Sequence, residues 1–106
     1  MLYVVHISVD ADRLAEWTSW MYDAHIPDVL ATGCFAWGVV ARVPESDTAA
    51  RRAYRIEYLA HGADALARYQ RDHAPALQHD HTSRFEGSFS AHRELLPVEK
   101  RFSPPS

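Results

Sequence analysis

The stretch that decides the fold is residues 2–25, LYVVHISVDADRLAEWTSWMYDAH. Its first eight residues alternate between two sets of side chains that are both mostly apolar, a pattern typical of a strand covered on both faces. Asp10 then predicts a helix N-cap. Apolar side chains follow at steps of three and four residues, as on one face of a helix. This predicted stripe contains Leu14, Trp17, Thr18, Met21 and His25. The segment therefore predicts a buried strand followed by an amphipathic helix.

The rest of the chain continues the alternation of strands and helices. Pro27 predicts a break near His25-Ile26, because proline inside a helix removes a hydrogen bond. A short helical turn over residues 28–31 should then close at Gly33. The later predicted elements are a strand over 34–43 with Phe35, Trp37 and Val39 on one face, a loop over 44–50, a strand over 52–59, a helix over 62–73 restarted by Pro75, and a strand over 86–98.

The order β-α-β-β-α-β predicts an α+β, ferredoxin-like domain: a four-stranded antiparallel sheet with both helices on one face. We expect the domain to span residues 1–98 and a flexible tail to span 99–106. Neither alternating set of strand side chains is clearly polar, so the second face of the sheet should need a cover. A homodimer joined through the sheet faces is the simplest cover.

Composition narrows the class of protein. The chain has 106 residues and a net charge of −3. One domain fits this length, and the charge argues against a nucleic-acid partner. No apolar run is long enough to span a membrane, and no secretory leader is visible. Cys34 is the single cysteine. We therefore expect a cytoplasmic globular protein without a disulfide.

A longer motif carries a resemblance. Residues 17–35, with Trp17, Trp20, Met21, the run His25-Ile26-Pro27-Asp28-Val29, and Gly33 and Phe35, resemble a bacterial domain-of-unknown-function family of the dimeric α+β barrel superfamily. Tyr69, His73-Ala74-Pro75 and Leu77 are similar to its second half, and the His-x-Pro helix end is distantly similar to EthD-like proteins. The resemblance implies the fold and a dimer. It leaves the reaction open, because the superfamily includes cofactor-independent monooxygenases, isomerases, cyclases and haem-degrading enzymes.

His25 is the best candidate for chemistry. It ends the helical stripe where a cleft between helix and sheet can open, and an imidazole there can act as a general acid or base near neutral pH. Two other roles stay open: a structural histidine that bonds carbonyls freed by Pro27, and a pocket residue without a catalytic role. His73 occupies the corresponding place in the second half.

The other candidate residues are those of an apolar pocket. The predicted substrate-binding residues are Trp17, Met21, Tyr22, Phe35, Trp37, Tyr69 and His73. Aromatic side chains at helix and strand periods are also typical of an ordinary core, so both interpretations stay open. Arg93 offers a cation for a ligand carboxylate or phenolate.

No cofactor or metal is expected. The chain has no glycine-rich phosphate loop and no serine nucleophile motif. His79 and His81 would point about 200° apart on a helix and could share an ion only in an extended segment. His6 and His92 are expected to pack against each other if the first and last strands pair.

These observations predict an uncharacterised homodimer with an apolar small-molecule pocket between helices and sheet. The alternative is a cofactor-independent monooxygenase, isomerase or cyclase that acts on a small aromatic or polyketide-like substrate, with His25 as general acid or base.

Overall fold

The computed structural model describes residues 1–105 and confirms the predicted order of elements. The strands are β1 (Leu2–Asp10), β2 (Phe35–Arg42), β3 (Arg51–Ala60) and β4 (Phe89–Leu96). The helices are α1 (Leu14–Trp20), α2 (Ile26–Ala31), α3 (Ala63–Asp72) and α4 (Ala74–Phe85), and a π-helical turn (Met21–His25) joins α1 to α2. Short 3-10 turns cover Ala11–Arg13 and Pro44–Ser46.

The four strands form one antiparallel sheet in the order β2-β3-β1-β4. Strand β1 is therefore central, with β3 and β4 hydrogen-bonded to its two edges. The helices pack on one face, where Tyr3, Ile7 and Val9 meet Trp17 and Met21 in the main core. This arrangement is the predicted α+β, ferredoxin-like fold.

The opposite face of the sheet, here called the outer face, changes in polarity from one end to the other. Its side chains form cross-strand rows that follow from the register of the four strands. The rows are Trp37, Leu59, Leu2 and Leu96; then Val39, Glu57, Val4 and Glu94; then Ala41, Arg55, His6 and His92; and then Ala53, Ser8 and Ser90. The first row is wholly apolar, whereas the last carries two hydroxyls. The outer face is thus apolar at one end and polar at the other.

The prediction that Phe35 and Trp37 share one face was wrong. The pairing of β2 with β3 shifts between Phe35, opposite Ala60, and Trp37, opposite Leu59. This irregularity inserts Ala36 as an extra residue, which reverses the alternation of the strand. Phe35 therefore packs in the core under the helices, while Trp37 lies on the outer face with 37% of its surface exposed.

The helix boundaries also differ from the predicted ones. Asp10 makes no capping hydrogen bond and instead pairs with Arg51, because β1 continues through Asp10 and a 3-10 turn precedes α1. No break occurs near His25, since the wider π turn lets the chain pass Pro27 in helical conformation. Gly33 has the predicted positive φ, 77°, after α2.

The second helical region is longer than expected. Helix α4 continues to Phe85, and β4 begins only at Phe89. Residues 97–105 form neither helix nor strand. The flexibility predicted for the tail 99–106 stays a prediction, and Ser106 lies outside the described residues. No helix in the described part of the chain is long and apolar enough to cross a membrane.

A substitution at Phe85 tests how much α4 contributes to the stability of the core. Its side chain is 1% exposed and its ring lies 5.7 Å from that of Trp20. We expect Phe85→Ala to lower the free energy of unfolding by about 3–5 kcal/mol, the usual cost of the cavity that such a truncation leaves. Urea denaturation measures this change. The matched control is Phe102→Ala, because Phe102 is 83% exposed and its truncation should change stability by no more than about 0.5 kcal/mol. Equal effects of the two variants would contradict the assignment of Phe85 to the core.

Candidate functional site

The candidate site begins with the π-helical turn. Residues Met21–His25 form this turn between α1 and α2, and both Met21 and His25 line a cavity against the sheet. A π turn holds one extra residue relative to an α-helical turn and is frequent at functional sites. The turn therefore sets the position of His25 relative to the sheet.

His25 lies among rings and lacks a partner for one nitrogen. Its ring centroid is 5.0 Å from that of Trp20 and 5.8 Å from that of His81. Its Nδ1 is buried and has no hydrogen-bond partner among the described residues. Burial lowers the pKa of His25 below its usual 6.5, although the carboxylates of Asp80 and Asp28 oppose this shift. The imidazole is therefore neutral at pH 7 and can accept a proton.

His81 is a second neutral imidazole beside His25. Only 7% of its surface is exposed, and the indole Nε1–H of Trp17 donates a hydrogen bond of 3.0 Å to its Nε2. Because Nε2 is the acceptor, the proton of the neutral ring is on Nδ1. Burial, followed by the neighbouring His25 and Arg93, lowers the pKa of His81 to about 4.

The wall of the site opposite the histidines consists of aromatic side chains. The Tyr3 ring lies 5.9 Å from that of Tyr58 and 5.8 Å from that of Tyr69, and Phe35 packs 4.8 Å from Tyr69. Burial raises the pKa of both Tyr58 and Tyr69, so their hydroxyls stay protonated. Gly38 provides room for this wall, because a Cβ at Gly38 would lie 3.1 Å from Cδ1 of Tyr58.

The cavity enclosed by these groups is small, with a volume of about 30 Å³. Its lining residues are Tyr3, Val5, Ile7, Met21, His25, Val29, Ile56, Tyr58, Tyr69, Gln78 and His81. About 10–15 Å³ of such space already holds one water molecule. The cavity as it stands therefore accommodates one or two water molecules and excludes an aromatic ring.

Arg93 adds a positive charge near the cavity. It is on β4 opposite the lining residue Val5, it is exposed, and it forms no ion pair within the described residues. Its charge lowers the pKa of His25, His81 and Tyr69. Three cavity groups thus lie within electrostatic reach of one guanidinium.

Several residues predicted from the sequence meet at this cavity. His25, Met21 and Tyr69 line it directly. Trp17 and Phe35 are buried one layer behind, where Trp17 holds His81 and Phe35 supports Tyr69.

Three predicted pocket residues lie elsewhere. Tyr22 is 50% exposed on the solvent side of the π turn, and Trp37 is on the outer face beyond the irregularity in β2. His73 is at the junction of α3 and α4, half-buried, with its ring 6.3 Å from that of Tyr69 and no contact with the cavity. None of the three lines the cavity, and their predicted role in substrate binding stays a prediction.

His81 and Tyr3 were missed as members of the site. A signal for His81 exists, because Ala74, His81 and Phe85 are at helical spacing and all three are buried. The helix also separates buried His81 from exposed His79, so the two do not share an ion.

His81 makes stability depend on pH. Its pKa is about 4 in the folded protein and 6.5 when unfolded, so the unfolded chain binds more protons between these values. Stability should therefore fall as the pH decreases from 7, by about 2 kcal/mol at pH 5, at about 1.4 kcal/mol per pH unit. Urea denaturation at both pH values measures this difference. His81→Gln keeps an acceptor for Trp17 but does not titrate, so most of the difference should disappear. An unchanged pH dependence in this variant would show that His81 is not responsible.

Comparisons with solved structures give the same fold at low sequence identity. SnoaB, a cofactor-independent oxygenase from Streptomyces nogalater, is 14% identical with a TM-score of 0.70, and the match covers 97% of each chain. An ethyl tert-butyl ether degradation (EthD) family protein from Bacillus halodurans is 13% identical with a TM-score of 0.62, covering 92% of this chain and 100% of the other. A dimeric ferredoxin-like protein from an uncultured marine organism is 10% identical with a TM-score of 0.68, covering 98% and 100%.

These identities show a shared fold alone. No curated protein sequence is significantly similar to this chain. A family model does match residues 1–99, nearly the whole described chain. The chain belongs to the family described as "Domain of unknown function (DUF4286)".

Proposed function

We propose that this chain binds a small planar aromatic molecule in the cavity between helices and sheet, and that His25 acts on it as a general base. The observation that carries the proposal is the half-buried, neutral His25 imidazole, whose buried Nδ1 has no hydrogen-bond partner among the described residues. A base in this state can accept a proton from a bound molecule at neutral pH.

The surrounding residues have complementary roles in this proposal. The Nδ1–H of His81 donates a hydrogen bond to an oxygen of the ligand, because Trp17 occupies its Nε2. Tyr58 and Tyr69 supply flat aromatic surfaces together with protonated hydroxyls. Arg93 attracts a carboxylate or phenolate on the ligand. This set favours an aromatic molecule that carries an acidic C–H or O–H group.

An aromatic ligand requires the cavity to widen beyond its present 30 Å³. Met21 is the lining residue best suited to move, because its unbranched side chain has several rotatable bonds. The π turn that carries both Met21 and His25 can lose its extra residue by a local change in helix winding. Opening at this turn would move both side chains together.

The known structures support this chemistry by analogy. SnoaB is a cofactor-independent oxygenase, and the matching Deinococcus radiodurans protein is described as a putative antibiotic biosynthesis monooxygenase. Both have this fold, and the description of SnoaB shows that the fold is compatible with chemistry that needs no cofactor.

A second candidate function is ligand binding without chemistry. The small volume of the cavity favours it, because an enzyme that turns over an aromatic substrate usually has a larger preformed pocket. In this case His25 and His81 would stabilise the joint between the π turn and α4. The cytoplasmic location expected from the sequence stays a prediction under both functions.

Deuterium exchange tests whether His25 acts as a base. The probe is 2-indanone, a flat bicyclic ketone whose CH2 protons are acidic, and NMR in D2O follows the loss of those protons. We expect the native protein to accelerate the exchange, and His25→Gln to reduce the acceleration by about 100-fold or more, the usual contribution of a general base.

His73→Gln is the matched control, because His73 also lies at a helix junction but does not line the cavity. This variant should accelerate the proton exchange of 2-indanone as much as the native protein does. Binding of 2-indanone, measured by tryptophan fluorescence, separates the two functions. If 2-indanone binds but the native protein exchanges its protons no faster than buffer does, ligand binding without chemistry is correct. Acceleration that His25→Gln retains in full would contradict the role of His25 as the base.

We further propose that a second copy of the chain covers the apolar end of the outer face. Trp37 and Val39 are 37% and 48% exposed there, and Leu96 extends the patch across the sheet. Exposed apolar patches of this kind usually mark interfaces. One structural neighbour is described as dimeric and ferredoxin-like, which supports the same arrangement.

Val39→Asp tests this interface. A carboxylate buried within a sheet-to-sheet contact would lose its hydration, so we expect a larger dissociation constant and a monomer in sedimentation experiments. Val4 is unsuitable for the test, since it is 1% exposed within one chain and a charge there would disrupt folding. The control is Tyr22→Ser on the helical side, which should leave the oligomeric state unchanged. A native protein that sediments as a monomer at every concentration would contradict the proposal.

A further inference from the structure

A second cluster of chemically active side chains lies on the outer face, away from the His25 cavity. His6 on β1 is directly opposite His92 on β4, and Glu94 follows two positions along the same face of β4. One donor atom of each side chain lies within 4.8 Å of the donor atoms of the other two. Within residues 1–105, this is the one such group of histidine, cysteine or acidic residues.

The three side chains are already in contact. His6 Nε2 is 2.7 Å from Glu94 Oε1, and the rings of His6 and His92 stack at 4.4 Å with 12° between their planes. Each side chain is attached to a paired strand, and His6 is on the central strand of the sheet. The backbone therefore holds the three side chains together without any loop.

We propose that His6, His92 and Glu94 bind one divalent transition-metal ion, with zinc as the reference ion. Two imidazoles and one carboxylate form the donor set of catalytic zinc sites, in which three protein ligands leave a fourth position for water. Imidazole nitrogen also disfavours magnesium and calcium, which prefer oxygen ligands. The ion would replace the proton shared between His6 and Glu94, because metal ligands bind in their deprotonated forms.

The outer face beside the three ligands leaves space for a fourth ligand on the metal ion. A cleft of about 330 Å³ opens on the same face, and its lining includes His6 and His92 together with Ser8 and Ser90. The two serine hydroxyls bond each other at 2.9 Å in the adjacent cross-strand row. A water or small oxygen ligand on the metal would face this polar cleft. The ion would thus have the open position of a reactive site.

The sequence predicts His6 and His92 only as packing neighbours, and it does not indicate Glu94 as a third donor. His6 and His92 are 86 positions apart in the sequence, and pairing of β1 with β4 alone makes them neighbours. Histidines close together in the sequence, such as His79 and His81, attract attention first but diverge on α4. The proposed metal site is independent of the function proposed for His25.

Zinc binding by the whole native protein tests the proposal. The protein is treated with EDTA, dialysed, and titrated with Zn²⁺ alone in a calorimeter, and we expect one ion per chain. His92→Gln and Glu94→Gln should each weaken binding at least about 10-fold, since loss of even an outer partner of a metal ligand costs that much. His79→Gln is the matched control, because His79 is exposed but outside the cluster, and it should bind zinc as the native protein does.

Co²⁺ provides a second readout that a loose surface ion does not produce. A four-coordinate cobalt ion absorbs visible light much more strongly than the six-coordinate ion in water, so native protein with Co²⁺ should show this band and His92→Gln should lose it. His92 and Glu94 are both exposed, and metal-free melting curves establish that the variants are folded. Absence of saturable binding, or equal binding by native protein and His92→Gln, would overturn the proposal.

Discussion

The central strand β1 is the constraint on which the rest of the molecule depends. Hydrogen bonds occupy both of its edges, and side chains cover most of both faces, with Val9 fully buried under the helices and Val4 1% exposed on the outer face. Successive residues of a strand point to opposite faces. Val5 therefore lines the cavity beside His25, whereas its neighbour His6 belongs to the cluster with His92 and Glu94. One strand thus supplies both candidate sites, and a shift of one residue in its register would remove both.

The cavity on the helical side of the sheet contains two imidazoles, His25 and His81, that are neutral at pH 7. Burying a charged group away from water is costly, so a buried histidine loses its proton at neutral pH. The Trp17 indole stabilises this state at His81 by donating to Nε2, a nitrogen that accepts only when it carries no proton. His25 has no such partner at Nδ1. The two rings therefore differ in their hydrogen bonding. His81 carries its proton on Nδ1 and can donate it in a hydrogen bond, whereas no neighbour occupies His25 Nδ1.

The two faces of the sheet differ in how their polar groups are satisfied. On the helical face, tyrosine rings pack against one another beside a small cavity of about 30 Å³. On the outer face, ion pairs and hydroxyl contacts such as Arg51–Asp10 and Ser8–Ser90 lie beside an open cleft. On the helical face, burial therefore lowers the pKa of the histidines and raises that of Tyr58 and Tyr69. On the outer face, the direct contacts between side chains prepare the donor set for an ion.

The sequence by itself determined the order of elements and the ferredoxin-like fold, because alternation and helical periodicity are local properties of the chain. Three of the side chains it singled out, His25, Met21 and Tyr69, line one cavity, and their function there stays a prediction. Tertiary structure alone decided the rest. One inserted residue in β2 moved Trp37 to the outer face, since the alternation of a strand reverses at a bulge. His81 joined His25 only through the packing of α4 against α1, and Glu94 joined His6 and His92 only through the register of the first and last strands. Contacts between distant segments depend on register and packing, which local periodicity does not encode.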